Sequence, residues 1–400
     1  MRLWLVVLAT IGALLAVPAC GGSSTNAPSG GSSSTTPAQN VQPIVVDAGP
    51  ANNAADEAFT AVTICVPGST TDCQTIDGIV VDTGSSGLRI LGSLLTVPLL
   101  KQTNSNGGAI TECLPFLDGF TWGAVETADI KIAGEQASAV PIQAIGSSVS
   151  ATIPAACTAS GPVSEDTLDS LGANGILGIG VFRQDCGSEC AFSTSPGLYY
   201  SCASTGCTPT VEALTQQVQN PVWRFPKDNN GVTIALPAVP SEGALSVTGS
   251  LVFGIGTESN NGLGNAKVLT VDVDSGYLTT VFNGQSYAGS FVDSGSNGLY
   301  FLDPATTGLP LCKDASDFYC PSTLQTLSAT NRGANGVTIV TPLLVANLDS
   351  LNPQFSAFND IAGPNPGSFD WGLAFFFGRT VFTAIEGQAT PGGVGPYVAY

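Results

Sequence analysis

The sequence predicts an all-β protein built from two related halves, and three observations carry that prediction. Charged residues fill only 10% of the 400 positions, while glycine (48) and proline (26) are plentiful. That mixture suits short strands joined by many turns rather than long amphipathic helices. Apolar runs of strand length recur along the chain without a sustained helical period. A stretch of about eleven residues also returns in the second half of the chain.

The elements follow in order. Residues 59–66 and 76–81 read as strands, the second opened by Asp77-Gly78. Further short strands are expected at 129–132, 140–145, 176–181, 251–253, 268–273 and 277–282. Asn283-Gly284 separates the apolar-rich stretches 278–282 and 287–292, the composition of a tight hairpin turn. Phe375-Phe376-Phe377 and residues 381–385 close the strand series, and 210–218 is the best helical candidate.

The first residues read as an export signal. Arg2 supplies the positive end, residues 3–17 are apolar, and Ala19-Cys20 closes the run, which is short for a membrane span. Val17-Pro18-Ala19-Cys20 resembles a bacterial lipobox, in which the cysteine is lipidated and becomes the first mature residue. An ordinary cleavable signal ending at Ala19 is the alternative. The lipoprotein reading is preferred because residues 21–40 form a Gly/Ser/Thr/Pro-rich tether. Gly21, rather than aspartate, after the cysteine points to the outer membrane. The expected organisation is a signal peptide (1–19), an anchor cysteine with linker (20–40), an N-terminal β lobe (41–228) and a C-terminal β lobe (229–400). Such a protein is exported to the bacterial cell envelope, touches the membrane through its lipid anchor only, and is expected to be monomeric.

Charge and composition exclude several classes. Eleven basic residues and a formal net charge of −19 leave no footprint for nucleic acid or anionic headgroups. The acidic surface reads first as a solvated secreted surface, and it also suits work at low pH. The absence of histidine excludes the Ser-His-Asp triad, the Cys-His dyad and most zinc sites, so no metal or cofactor is expected. Hydrolysis, if any, falls to carboxylates or to a lysine-assisted or unusual nucleophile. Setting Cys20 aside, ten of the eleven cysteines remain, enough for up to five disulfides. Cys312 and Cys320 should pair, and Cys65 and Cys73 can close a short loop. Cys186, Cys190, Cys202 and Cys207 form a cluster read as a staple rather than a metal site, leaving Cys113 and Cys157.

The repeat carries the chemistry. Gly78-Ile79-Val80-Val81-Asp82-Thr83-Gly84-Ser85-Ser86-Gly87-Leu88 is matched by Gly289-Ser290-Phe291-Val292-Asp293-Ser294-Gly295-Ser296-Asn297-Gly298-Leu299, 211 residues later. A single Asp-Thr-Gly is an ordinary turn. Two copies, each behind an apolar strand and each continuing Gly-Ser-x-Gly-Leu, are a specific signal. Two close carboxylates cannot both ionise, so such a pair holds one proton. The ionised member can take a proton from water, and the protonated member can donate to a substrate carbonyl oxygen. Gly84 and Gly295 let the backbone turn so that N–H groups point at the carboxylates.

These motifs resemble those of the pepsin-like aspartic peptidases, in which each lobe contributes one Asp-Thr/Ser-Gly-Ser/Thr. The resemblance implies a bilobed acid-protease fold with a cleft between two β lobes, and Asp82 and Asp293 as the catalytic pair. It further implies that Thr83 and Ser294 link the lobes, while Ser85 and Ser296 bond the outer carboxylate oxygens. Residues 174–180 resemble the family's element behind the first aspartate, 249–254 a strand near the start of the second lobe, and 372–382 its closing element. The likeness runs from about residue 59 to the C-terminus, and with its lipoprotein-like start the chain also resembles an uncharacterised bacterial domain family related to pepsin.

Two positions depart from the family. Trp122 stands where the flap tyrosine is expected, and its proximity to Asp129 suggests a shortened flap hairpin. Arg89 stands where the family has a tryptophan; it is either a cleft residue able to hold an aspartate ionised or an exposed strand residue. Trp371 is most simply core. The resemblance implies an envelope-tethered aspartic endopeptidase acting on polypeptide at acidic pH. The altered flap and the absence of a basic prosegment support the rival, a non-catalytic envelope lipoprotein that binds a protein or peptide partner.

Overall fold

A computed structural model of the protein describes residues 39–148, 150 and 152–400. The expected signal peptide, Cys20 and nearly all of the expected tether therefore lie outside the described residues. Among the described residues no helix is long and apolar enough to cross a membrane.

The protein is all-β, with barrel-like sheets and, among the described residues, only short helices. In the first half, six strands form a closed ring: Ala58–Cys65, Cys73–Asp82, Gly175–Ile179, Ser86–Leu91, Glu135–Ile145 and Phe120–Ile132. The last pairs back to the first, Ile64 opposite Ile130. Closure removes exposed edges. It also buries β-branched and leucine side chains such as Val62, Val81, Ile90, Ile142 and Leu177 in one core.

Val41–Val46 joins the halves. It pairs with Ala58–Cys65 on one side and with Val247–Phe253 on the other. Beyond it the same sheet continues through Gly231–Leu236, Arg379–Ala384 and Tyr397–Ala399. A separate seven-stranded sheet in the second half contains Thr338–Val345, Gln325–Arg332, Leu278–Phe282, Gln285–Val292, Asn365–Trp371, Leu299–Leu302 and Ala362–Gly363.

The sequence repeat is also a repeat of pairing. Cys73–Asp82 runs parallel to Gly175–Ile179, which is antiparallel to Ser86–Leu91, and that strand is parallel to Glu135–Ile145. In the second half Gln285–Val292 runs parallel to Asn365–Trp371, which is antiparallel to Leu299–Leu302, itself parallel to Ala362–Gly363. The registers correspond: Val80 lies opposite Ile176 and Phe291 opposite Asp370.

Most predicted strands are present. Asn283 and Gly284 both take positive φ (49° and 79°) and join Phe282 to Gln285, the two-residue turn their composition favours. Three expectations need correction. Residues 375–377 are not a strand; Leu373–Phe376 is a short helix with all four residues buried. An apolar run buried on every side has no periodicity to separate the two forms. Residues 210–218 contain only a turn. There the Gln217 side chain bonds the backbone of Gly187 and Glu212, and the Tyr199 hydroxyl accepts from Val218 N–H, so side chains take the place of helical partners. Residues 129–132 are not a separate strand but the end of the thirteen-residue strand Phe120–Ile132. Its buried polar residues Thr121, Glu126 and Asp129 hide the strand from a hydrophobicity reading.

All ten described cysteines are paired: Cys65–Cys73, Cys113–Cys157, Cys186–Cys190, Cys202–Cys207 and Cys312–Cys320. The local cluster is thus a double staple.

Candidate active site

The two copies of the motif meet. A Cβ built on Gly84 would lie 2.4 Å from Asp293 Cγ, and one on Gly295 would lie 2.8 Å from Asp82 Cγ. Only glycine lets each motif loop approach the opposite carboxyl so closely. Beneath the aspartates the loops are cross-bonded reciprocally. Thr83 N–H donates to Ser294 Oγ (3.1 Å), and Ser294 N–H donates to Thr83 Oγ1 (2.9 Å). Each hydroxyl then donates to the opposite strand, Ser294 to Val81 C=O (2.7 Å) and Thr83 to Val292 C=O (3.3 Å). Both side chains are buried, so this lattice is shielded from competing water.

Each carboxyl is held by its own loop. Asp82 Oδ1 accepts from Gly84 N–H (2.7 Å) and Ser85 N–H (3.1 Å), and Oδ2 accepts from the Ser85 hydroxyl. Asp293 Oδ1 accepts from Gly295 N–H (2.8 Å), and Oδ2 from the Ser296 hydroxyl (3.0 Å). Burial, then the neighbouring Asp82 and Asp370, raise the Asp293 carboxyl well above the usual carboxylate range. Asp293 also accepts fewer hydrogen bonds than Asp82, and fewer donors favour the protonated form of a carboxyl. This arrangement can bind a water between one proton acceptor and one proton donor.

Glycines also allow the strands behind the motifs to pack. A Cβ on Gly180 would lie 2.7 Å from Ser85 C=O, and one on Gly372 would lie 2.0 Å from Gly298 C=O. Segment 174–180 thus runs directly behind the first motif, and Asn365–Trp371 with Gly372 behind the second, whereas Arg379–Ala384 pairs with Gly231–Leu236 instead.

Arg89 differs from both of its expected placements. It is neither exposed nor bonded to the aspartate pair, but fully buried. Its guanidinium contacts Glu112 (2.6 Å) and Asp185 (3.6 Å) and donates to Ser86 C=O (3.0 Å). Tyr199 donates to Asp185 at 2.7 Å. One cation faces two buried carboxyls, and burial followed by Glu112 raises Asp185 well above the usual range. A neutral Asp185 balances the cluster. Opposite charge placed in the interior at residue 89 demanded partners that lie far away in sequence.

Trp122 is likewise buried, its ring edge-on to Tyr200 at 5.3 Å, in a cluster with the Cys113–Cys157 disulfide. The hairpin that carries it pairs Ala109–Pro115 with Phe120–Ile132, in register from Thr111 opposite Ala124 to Pro115 opposite Phe120. Its turn is Phe116–Gly119, closed by Phe116 N–H to Gly119 C=O (2.8 Å).

Sequence reasoning missed Asp370. This residue is fully buried beside the pair, with Oδ2 2.6 Å from Ser296 Oγ. Burial raises its carboxyl to about 8. A signal existed: Asp370 occupies the position that Ile176 fills in the first half. Cys312, Cys320 and Asp349 also approach one another, but the two sulfurs form a disulfide and offer no thiolate to a metal.

Fold and site together define an all-β protein whose duplicated motif brings two carboxyls together between its halves. The family model described as "Protein of unknown function (DUF3443)" matches residues 36–400, and the chain belongs to that family. No curated protein matches it.

Proposed function

We propose that the protein is an aspartic endopeptidase of pepsin-like, bilobed fold, exported to the cell envelope and held there by a lipid on Cys20. One observation carries the reading: two carboxyls share a site at the meeting of two glycine-hydroxyl loops that are bonded reciprocally through Thr83 and Ser294. In the proposed cycle Asp82 takes a proton from a bound water as its oxygen attacks the scissile carbonyl carbon. Asp293 gives its proton to the carbonyl oxygen. Asp82 then protonates the leaving amide nitrogen, the C–N bond breaks, and Asp293 recovers a proton from the diol. The substrate is extended polypeptide. The five disulfides support an oxidising compartment outside the cytoplasm.

A second reading has its own support. The hairpin carrying Trp122 is stapled by Cys113–Cys157 and packed against Tyr200. A hairpin so held is poorly suited to opening and closing over successive substrates. A non-catalytic protein that captures one partner fits that feature. Calorimetry with pepstatin in mild acid separates the readings, because its central hydroxyl sits between paired carboxyls. Tight binding to the wild type that disappears in Asp293→Asn is the expected result. A folded wild type that ignores pepstatin and cleaves no unfolded substrate would remove the peptidase reading. Stoichiometric capture of one intact partner, unchanged by Asp82→Asn, would install the second.

A further inference from the structure

Three carboxyls, not two, meet at the site, and their hydrogen bonds cannot all be made as the atoms stand. Ser296 Oγ lies 3.0 Å from Asp293 Oδ2 and 2.6 Å from Asp370 Oδ2. A hydroxyl has one hydrogen and can donate to only one of them. The other contact needs a hydrogen supplied by a carboxyl. Asp370 is the group placed to supply it. It is fully buried, its Oδ1 has no partner, and none of the ion pairs among the described residues includes it. A bare carboxylate there would be uncompensated.

The first half shows what is added. Ser85 bonds Asp82 alone, and the position equivalent to Asp370 is the apolar Ile176. The duplicated architecture has therefore been made unequal at one place, directly behind Asp293.

We infer that Asp370 is a proton-bearing positioning residue: its carboxylic acid donates to Ser296 Oγ and turns the Ser296 hydrogen toward Asp293, so that Asp293 keeps the hydroxyl donor that Ser85 gives Asp82. The chain Asp370 to Ser296 to Asp293 polarises each bond in the same direction. Ionisation of Asp370 would reverse it, drawing the Ser296 hydrogen away from Asp293 and adding a second negative charge beside the one the pair already holds. The titratable groups facing Asp370 are Asp293 and Asp82 across the motif loops and Tyr300 on the adjoining strand, with Asp118, Asp56 and Asp317 acting on Tyr300 in turn. All are acidic, so no neighbouring cation favours an ionised Asp370.

The proton assignment stands on geometry alone; its effect on ligand binding rests on the aspartic-peptidase reading. The test therefore has two arms, both on the whole protein. Infrared difference spectra between wild type and Asp370→Asn at neutral pH should show loss of one protonated carboxyl band. Loss of a carboxylate band instead would overturn the proposal. In the second arm Asp370→Asn, whose amide can still donate to Ser296, and Asp370→Ile, which restores the first half's arrangement, both leave the Ser296 hydrogen to Asp293 and should hold pepstatin within about threefold of wild type. A change of about tenfold or more in either variant would also overturn it, because it would mean that an ionised Asp370 had been holding the Ser296 hydrogen. If wild type binds no pepstatin, the peptidase reading fails while the infrared result still decides the proton on Asp370.

Discussion

Ser294 and Thr83 show how much a single small hydroxyl can organise. Ser294 Oγ accepts from Thr83 N–H and donates to Val81 C=O, so one atom satisfies two backbone groups of the opposite loop. Replacing Ser294 by alanine would strand both groups in a place where Ser294 is fully buried. An unpaired buried polar group costs about 1–3 kcal/mol. Ser294→Ala is therefore expected to lower stability by about 2–4 kcal/mol in denaturant titration and to weaken pepstatin together with it. Ser85→Ala removes only a hydroxyl that donates to the carboxylate of Asp82. It should leave stability nearly unchanged while weakening the inhibitor. If the two variants lose stability equally, the cross-bonded loops do not hold the site as described.

At the scale of elements, the buried cluster around Arg89 ties the strand that follows the first motif to the hairpin that carries Trp122. Arg89 lies on Ser86–Leu91, Glu112 on Ala109–Pro115, and Tyr199 on Tyr199–Ala203. Arg89 also bonds Ser86 C=O, one residue beyond the motif serine Ser85. Removing the cation alone leaves Glu112 buried without a counter-charge, which costs about 3–5 kcal/mol. Removing the cation and Glu112 together leaves a neutral Asp185 still bonded to Tyr199. Hence Arg89→Met should destabilise by about 3–5 kcal/mol, and the double variant Arg89→Met, Glu112→Leu should recover most of that loss. A double variant no more stable than the single one would mean that the cluster holds the strands through shape rather than charge balance.

For the whole molecule, what could be read from the sequence was what depends on neighbours in the chain. The doubled Asp-Thr/Ser-Gly-Ser turns are legible because the glycine, the hydroxyls and the preceding apolar strand are contiguous. The Asn283-Gly284 hairpin is legible for the same reason. The ring closure between Ala58–Cys65 and Phe120–Ile132, the Arg89 cluster and Asp370 depend on contacts between distant segments, and one sequence shows them only as polar residues in unexpected places. Those buried acids have a collective consequence. Burial raises Asp56, Asp185 and Asp293 well above the usual range, Glu212 to about 7, Asp360 to about 6 and Asp370 to about 8. An acid whose folded-state pKa is raised holds its proton in the folded chain after the unfolded chain has released it. Its contribution is complete below the unfolded value, about 4, and is lost as pH rises through the folded value. The rise at Asp360 alone corresponds to about 3 kcal/mol. Asp272, lowered by hydrogen bonds from Ser275, works in the opposite sense, but it is exposed. Self-repulsion from the net charge of −19 adds to the loss as carboxyls ionise. The midpoint of thermal unfolding should therefore be highest near pH 4 and fall steadily toward about pH 8, with Asp360→Asn flattening the part below about pH 6. A midpoint that stays level or climbs across that range would mean that the buried acids are ionised and compensated, and the assignment of protons to Asp293 and Asp370 would fall with it.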